Sequence, residues 1–172
     1  MKLQSVEDLF LEGLQYVYDA EQQLTQALPK MAQASSTPQL REAFEQHLLE
    51  TKQQVGRAEQ VFQIFGQQPQ TKPNSILQAM NKEVENMIGN TDGGPVRDAA
   101  LIVAGNQVEH YEMASWGSLR NYAELLGKQE AVSLIQKTLE EEKQADAKLT
   151  ALGENQVNQQ ALQQGSKAAA SA

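Results

Sequence analysis

The stretch Val132-Ser133-Leu134-Ile135-Gln136-Lys137-Thr138-Leu139-Glu140-Glu141-Glu142-Lys143-Gln144-Ala145-Asp146-Ala147-Lys148-Leu149 decides the fold. Stepping through it by alternating intervals of three and four selects Val132, Ile135, Leu139, Glu142, Asp146 and Leu149. That is the inward stripe of a helix in a bundle. Two carboxylates stand one turn apart inside it, where apolar side chains belong.

Working outward from this helix, which the pattern places over residues 128–152, sparse punctuation divides the rest of the chain. Gly127 supplies a C′ stop for a preceding helix over residues 95–126, which Pro95 opens. Before it, Gly89-Asn90-Thr91-Asp92-Gly93-Gly94 ends a shorter amphipathic piece over residues 75–88, with Ile76, Met80, Val84 and Met87 on one side. Residues 66–74 form a connector. Thr37-Pro38, an N-cap candidate followed by proline at the first helical position, opens a helix that runs to residue 65. The first helix covers residues 6–35 and has its expected bend at Pro29. Four long helices and one short crossover helix predict an all-α fold, a four-helix bundle over residues 1–153. Residues 154–172 are rich in Gln, Asn, Ala and Ser and read as a polar tail, frayed over residues 165–172.

The other long helices repeat the anomaly of the fourth. The first has the stripe Phe10, Leu14, Val17, Glu21, Leu24, Leu28, Met31, with one carboxylate among six apolar residues. The second reads Leu40, Phe44, His47, Thr51, Gln54, Ala58, Val61, Phe65, polar in its middle, with Glu50 one turn beyond His47. The third allows two adjacent stripes. One is Leu101, Gly105, Val108, Glu112, Ser115, Leu119, Tyr122, Leu126, and the other Ile102, Asn106, Glu109, Met113, Trp116; each carries an acid near its middle. Glu140 and Glu141 are expected on the solvated face, and Trp116, Tyr111, Tyr16 and Tyr18 are read as packing.

Composition narrows what such a core can be for. The 172 residues amount to one domain, and 14 basic against 22 acidic side chains leave a formal charge of −8. This charge, with no local basic cluster, argues against nucleic acid and membrane surfaces as partners. No cysteine is present, so a thiolate nucleophile, an iron–sulfur cluster or a zinc ribbon is excluded, and any metal must be held by oxygen or imidazole. Residues 1–8 contain no apolar signal-peptide region, and no stretch approaches the roughly 18 to 20 apolar residues of a membrane span. A soluble, cytoplasmic protein is expected.

Burying an uncompensated carboxylate costs several kcal/mol, and six of them, Glu21, Glu50, Glu109, Glu112, Glu142 and Asp146, would rival a domain's net stability of about 5 to 15 kcal/mol. Either protons or cations must neutralise them. Lys30, Lys52, Arg57, Arg120, Lys137 and Lys143 fall mostly off the stripes, whereas two divalent metal ions would bring the charge and accept oxygen donors from opposed helices. Asp146 has an alternative in pairing with Lys143 or Lys148. His47 and His110 either coordinate directly or orient a carboxylate, and Gln54 is either a neutral ligand or a hydrogen-bond partner of the polar core.

Glu21, the runs His47-Leu48-Leu49-Glu50-Thr51 and Glu109-His110-Tyr111-Glu112, and the run Glu140 to Asp146 resemble the bacterial YciE/YciF family of stress-induced proteins. The likeness continues through Asp98-Ala99-Ala100-Leu101-Ile102 and Ala147-Lys148-Leu149-Thr150 and spans about residues 3 to 155. The resemblance implies a ferritin-like fold related to part of rubrerythrin, a homodimer and a link to stress; the family has no well-established activity. The wider ferritin-like pattern has a lone Glu on each of two helices and Glu-x-x-His on each of the other two. Glu21 and either Glu109 or Glu112 match the lone positions, and Glu50 and Glu142 the paired ones. The expected histidines are absent, since Gln53 and Ala145 stand three residues on; Gln54, Asp146 and His47 are the nearest substitutes. Fe or Mn are the expected ions, and an oxygen-rich, harder site lets Mn, Mg or Ca compete better. The expected function is a dinuclear metal protein acting on oxygen, peroxide or Fe(II), with electrons supplied from elsewhere. The alternative is a non-catalytic stress protein with a structural or vestigial site.

Overall fold

The computed structural model describes residues 3–170, and side chains as far as residue 165. In chain order the elements are α1 (Val6–Ala34), α2 (Pro38–Ile64), α3 (Ser75–Gly89), α4 (Pro95–Leu125), α5 (Gln129–Leu152), a π-helical turn (Gly153–Val157) and α6 (Asn158–Ala170). No strand occurs among the described residues.

Local chemistry sets the boundaries. Ser5 caps α1 by accepting the Asp8 N–H at 3.0 Å, and Asn74 caps α3 by accepting the Leu77 N–H at 3.1 Å. Gly66 and Gly127, with φ of 67° and 70°, end α2 and α4 in the left-handed conformation that a Cβ would penalise. At the start of α2 the expected Thr37 side-chain cap does not form. Instead Asp98, fully buried on α4, accepts the N–H groups of Ser36 and Thr37 at 2.8 and 2.7 Å. Pro29 lies inside α1, which continues to Ala34.

Helix α1 packs against α2 and α4, and α5 packs against the same two, so α1 faces α5 and α2 faces α4 across the axis. At one end Asp98 ties the α1–α2 turn to the start of α4; at the other the Phe10 and Phe65 rings stack at 4.2 Å and Lys128 lies over Phe65. Helices α1 and α5 therefore run one way and α2 and α4 the other, with α3 crossing between them along the α1–α4 face. This is the ferritin-like four-helix bundle.

One detail departs from the sequence reading. In α3 the inward residues are Leu77 and Val84, while Ile76 is 55% exposed. The cap explains the rotation: the Asn74 amide donates to the Tyr16 carbonyl and the Tyr111 hydroxyl, and so holds Leu77 rather than Ile76 toward the bundle. Beyond α5 the chain continues in regular structure. The π-helical turn buries Val157 in the core and leads into α6, which packs on α4 and stays helical to Ala170. Residues 171 and 172 of the expected tail lie outside the described residues.

The interior has three layers. Leu24, Leu28, Met31, Leu40, Phe44, Leu101, Ile102 and Leu149 fill the end near the α1–α2 turn. Phe10, Leu14, Phe62, Trp116, Leu119, Ile135 and Leu139 fill the opposite end. The two apolar clusters are separate, and the acids of the stripes lie between them.

Candidate metal centre

Each long helix contributes to the middle layer because its stripe passes the bundle axis at mid-length. Glu21 from α1, His47 and Gln54 from α2, Glu109 and Glu112 from α4 and Glu142 from α5 are all buried. Glu109 and Glu112 are both inward, at 2% and 1% exposure, so the two α4 stripes converge on one site. One donor atom from each of His47, Glu109, Glu112 and Glu142 lies within 4.8 Å of the others. His47 Nε2 is 3.1 Å from Glu109 Oε1 and 3.8 Å from Glu142 Oε2. Glu21 faces Glu112 from the α1 side, and its Oε1 accepts the indole N–H of Trp116 at 3.0 Å.

Hydrogen bonds are unusually scarce among the polar atoms of this layer. Glu21 Oε2, Glu109 Oε2, both oxygens of Glu112 and of Glu142, Gln54 Oε1 and both ring nitrogens of His47 are buried without a hydrogen bond. Native interiors leave few such atoms, and a concentration at one level needs an explanation. Electrostatics records the same conflict. Burial pushes the Glu21 carboxyl up to about 8, with the Trp116 hydrogen bond and His47 opposing and Glu109 adding to it. Burial, then the neighbouring acids Glu21, Glu142 and Glu109, raise Glu112 well above the carboxylate range. Glu142 is raised by burial and by Glu21 and Glu109, against the pull of His47. Burial would lower His47, but Glu109, Glu50 and Glu142 hold it well above its ordinary value.

Three sequence candidates are not brought into the cluster. Glu50 sits at the rim: its side chain is 28% exposed, Oε2 is 3.7 Å from His47 Nδ1 and Oε1 accepts from Gln46 at 3.0 Å. Contact with His47 lowers its carboxyl. Asp146 turns aside to Asn106 Nδ2 at 2.6 Å and lies 3.3 Å from His110 Nε2, while the His110 side chain is 69% exposed. His47, on the expected inward stripe, meets the acids of α4 and α5, while Glu50, one turn beyond it on α2, stays at the rim.

Several side chains escaped the sequence reading. Arg57 is buried, not peripheral; its Nε donates to Thr138 Oγ1 at 3.0 Å and its guanidinium pairs with Glu141. Glu141, expected in solvent, is thereby drawn in, and the Gln54 amide also donates to it at 3.2 Å. No spacing links residues 57 and 141. Trp116 does more than pack, and its position four residues after Glu112 on α4 was the available signal.

The donor set suits a cation. Carboxylates and one imidazole from opposed helices, buried and close together, could hold a metal ion. The architecture and the sequence are shared with known proteins. A family described as a domain of unknown function (DUF892) matches residues 5–162. The chain belongs to the DUF892 family. Protein YciF of Escherichia coli K12 is 43% identical over 162 residues, 94% of this chain and 98% of that protein. The crystal structure of the E. coli stress protein YciF superimposes with a TM-score of 0.87, covering 91% of this DUF892 chain and 99% of its own. YcfI of Rhodopseudomonas palustris, whose description suggests a structural role, gives a TM-score of 0.83 at 39% identity, covering 87% and 95%. A Xanthomonas campestris protein at 21% identity and a TM-score of 0.70, covering 88% and 92%, shares the fold alone. No described helix of this DUF892 protein is long and apolar enough to cross a membrane.

Proposed function

We propose that this DUF892 protein is a cytoplasmic stress-response protein whose middle layer binds divalent metal ions, Fe or Mn, and uses them in reactions with oxygen or peroxide. The observation that carries the reading is the set of buried carboxyl oxygens of Glu21, Glu109, Glu112 and Glu142 that have no hydrogen bond among the described residues, gathered beside the buried His47 ring. Charged and empty, they would cost several kcal/mol apiece. His47, Glu109, Glu112 and Glu142 would hold one ion, and Glu21, through its free Oε2, would extend the site to a second. When bound, a redox-active pair of ions would supply the electrons for reducing peroxide or oxygen.

The chain's own residues have defined tasks in that reading. Without metal, Glu21, Glu112 and Glu142 hold protons, since burial and mutual repulsion oppose their ionisation; uptake of a cation releases them. Trp116 fixes one oxygen of Glu21 and leaves the other free. The two apolar layers exclude water from above and below.

A second reading is favoured by the compactness of the donor set, four atoms within 4.8 Å with a single histidine. This is a donor set for one structural cation in a non-catalytic protein, in keeping with the role suggested for the Rhodopseudomonas palustris relative. Elemental analysis after anaerobic loading with Fe²⁺ or Mn²⁺ decides between them. About two equivalents, lost in Glu112→Gln plus Glu142→Gln, and consumption of peroxide support the first reading. One equivalent without peroxide consumption supports the second, and none would overturn both.

A further inference from the structure

A cavity of about 200 Å³ opens between α2, α4 and α5, and its buried lining residues are His47 and Glu109 together with the apolar Ala43, Phe44 and Leu149. Its mouth is polar: Gln46, Glu50, Gln144 and Lys148 line it. Larger cavities, of about 410 to 450 Å³, are lined by none of the acids of the middle layer. The volume holds about seven waters at about 30 Å³ each, enough for the hydration shell of one small cation, and is below the roughly 300 Å³ at which organic-ligand pockets begin.

The donors form a graded series from solvent inward. Glu50, 28% exposed, lies 3.7 Å from His47 Nδ1, and the opposite nitrogen of that ring lies 3.1 Å from Glu109 Oε1. Both nitrogens of His47 are buried and without a hydrogen bond although the ring lines the cavity. Lys148, on the opposite lip, acts on Glu50 by its charge. We propose that this cavity is the port through which a small hydrated divalent cation reaches the middle layer, with Glu50 as a capture carboxylate that passes the ion inward to His47 and Glu109 and is not itself a resident ligand. The proposal rests on the metal-binding reading above.

The chain's sole tryptophan, Trp116, bonds to Glu21 and reports on the layer. Metal-free protein is mixed rapidly with Co²⁺ at low ionic strength, quenching of Trp116 emission is followed, and Co²⁺ per chain is measured at the end. Glu50→Gln and Ala145→Leu, which obstructs the cavity, are expected to slow loading by about threefold or more while the bound amount stays at the wild-type value. Lys148→Gln, which removes a repelling charge from the mouth, is expected to speed it about two- to threefold; a misfolded variant would not do that. Wild-type rates in Glu50→Gln and Ala145→Leu, or loss of bound Co²⁺ in Glu50→Gln, would overturn the port while leaving the metal reading standing. Failure of the wild type to take up Co²⁺ would overturn both.

Discussion

Trp116 on α4 donates its indole N–H to Oε1 of Glu21 on α1 over 3.0 Å, with both side chains buried. The bond joins the apolar layer that holds Trp116 to the polar layer that holds Glu21. Among the described residues it is the one hydrogen bond to the Glu21 carboxyl, whose Oε2 has none. Trp116→Phe keeps most of the apolar contact but strips that partner. The expected cost is about 2 kcal/mol, read as a fall of about 4 to 8 °C in the melting temperature. Differential scanning calorimetry of the metal-free protein checks it; a shift under 1 °C would show that the bond holds nothing in place.

Asp98 offers a contrasting test, because it lies outside the metal site. The side chain is fully buried, and its two oxygens accept the N–H groups of exposed Ser36 and buried Thr37. Asp98→Ala leaves two donors unpaired at the α1–α2 turn and should cost about 3 kcal/mol. Denaturant midpoints should fall while metal stoichiometry stays at the wild-type value.

The acids of the middle layer should make the metal-free protein less stable as pH rises. Glu21, at about 8 in the fold, together with Glu112 and Glu142, both raised, binds protons in the native state that the unfolded chain releases near 4.5. Their contribution is complete below pH 4.5 and is lost as pH climbs through the folded values. His47, raised above 6.5, acts in the same direction from 6.5 upward. Glu50, lowered, works oppositely, and only as pH falls below 4.5. Chelator-treated protein should therefore melt progressively lower from pH 5 to pH 8. Mn²⁺ binding, which displaces those protons, should strengthen over the same interval; a flat melting profile in chelator would remove the physical case for the site.

Neutralising two of the acids should separate stability from binding. Glu112→Gln plus Glu142→Gln removes carboxyls that burial and their neighbours keep from ionising. At pH 8 the metal-free double variant should gain about 1 to 4 kcal/mol over the wild type, as measured by urea unfolding. Its melting temperature should no longer respond to Mn²⁺. A variant that is destabilised and still responds would contradict the assignment of these two residues.

The helical stripes were legible because burial and helix period are both local properties of the chain. All seven predicted inward residues of α1 and all eight stripe residues from Leu40 to Phe65 are buried, and the acids Glu21, Glu109, Glu112 and Glu142 come to one level because each stands near the middle of its helix. What the sequence alone could not decide was which member of a near-degenerate pair turns inward. His47 and Glu50 share a side of α2, and only Glu109 and Glu142 from across the bundle select His47. Asp146 follows Glu142 by one turn on the same stripe, yet Asn106 and His110 hold it at the margin. Arg57 reads as a surface residue until Glu141 and Thr138 reach it from α5. Period determines the face a residue shares; the final choice depends on partners distant in sequence, whose charges and hydrogen bonds exist only once the helices are packed.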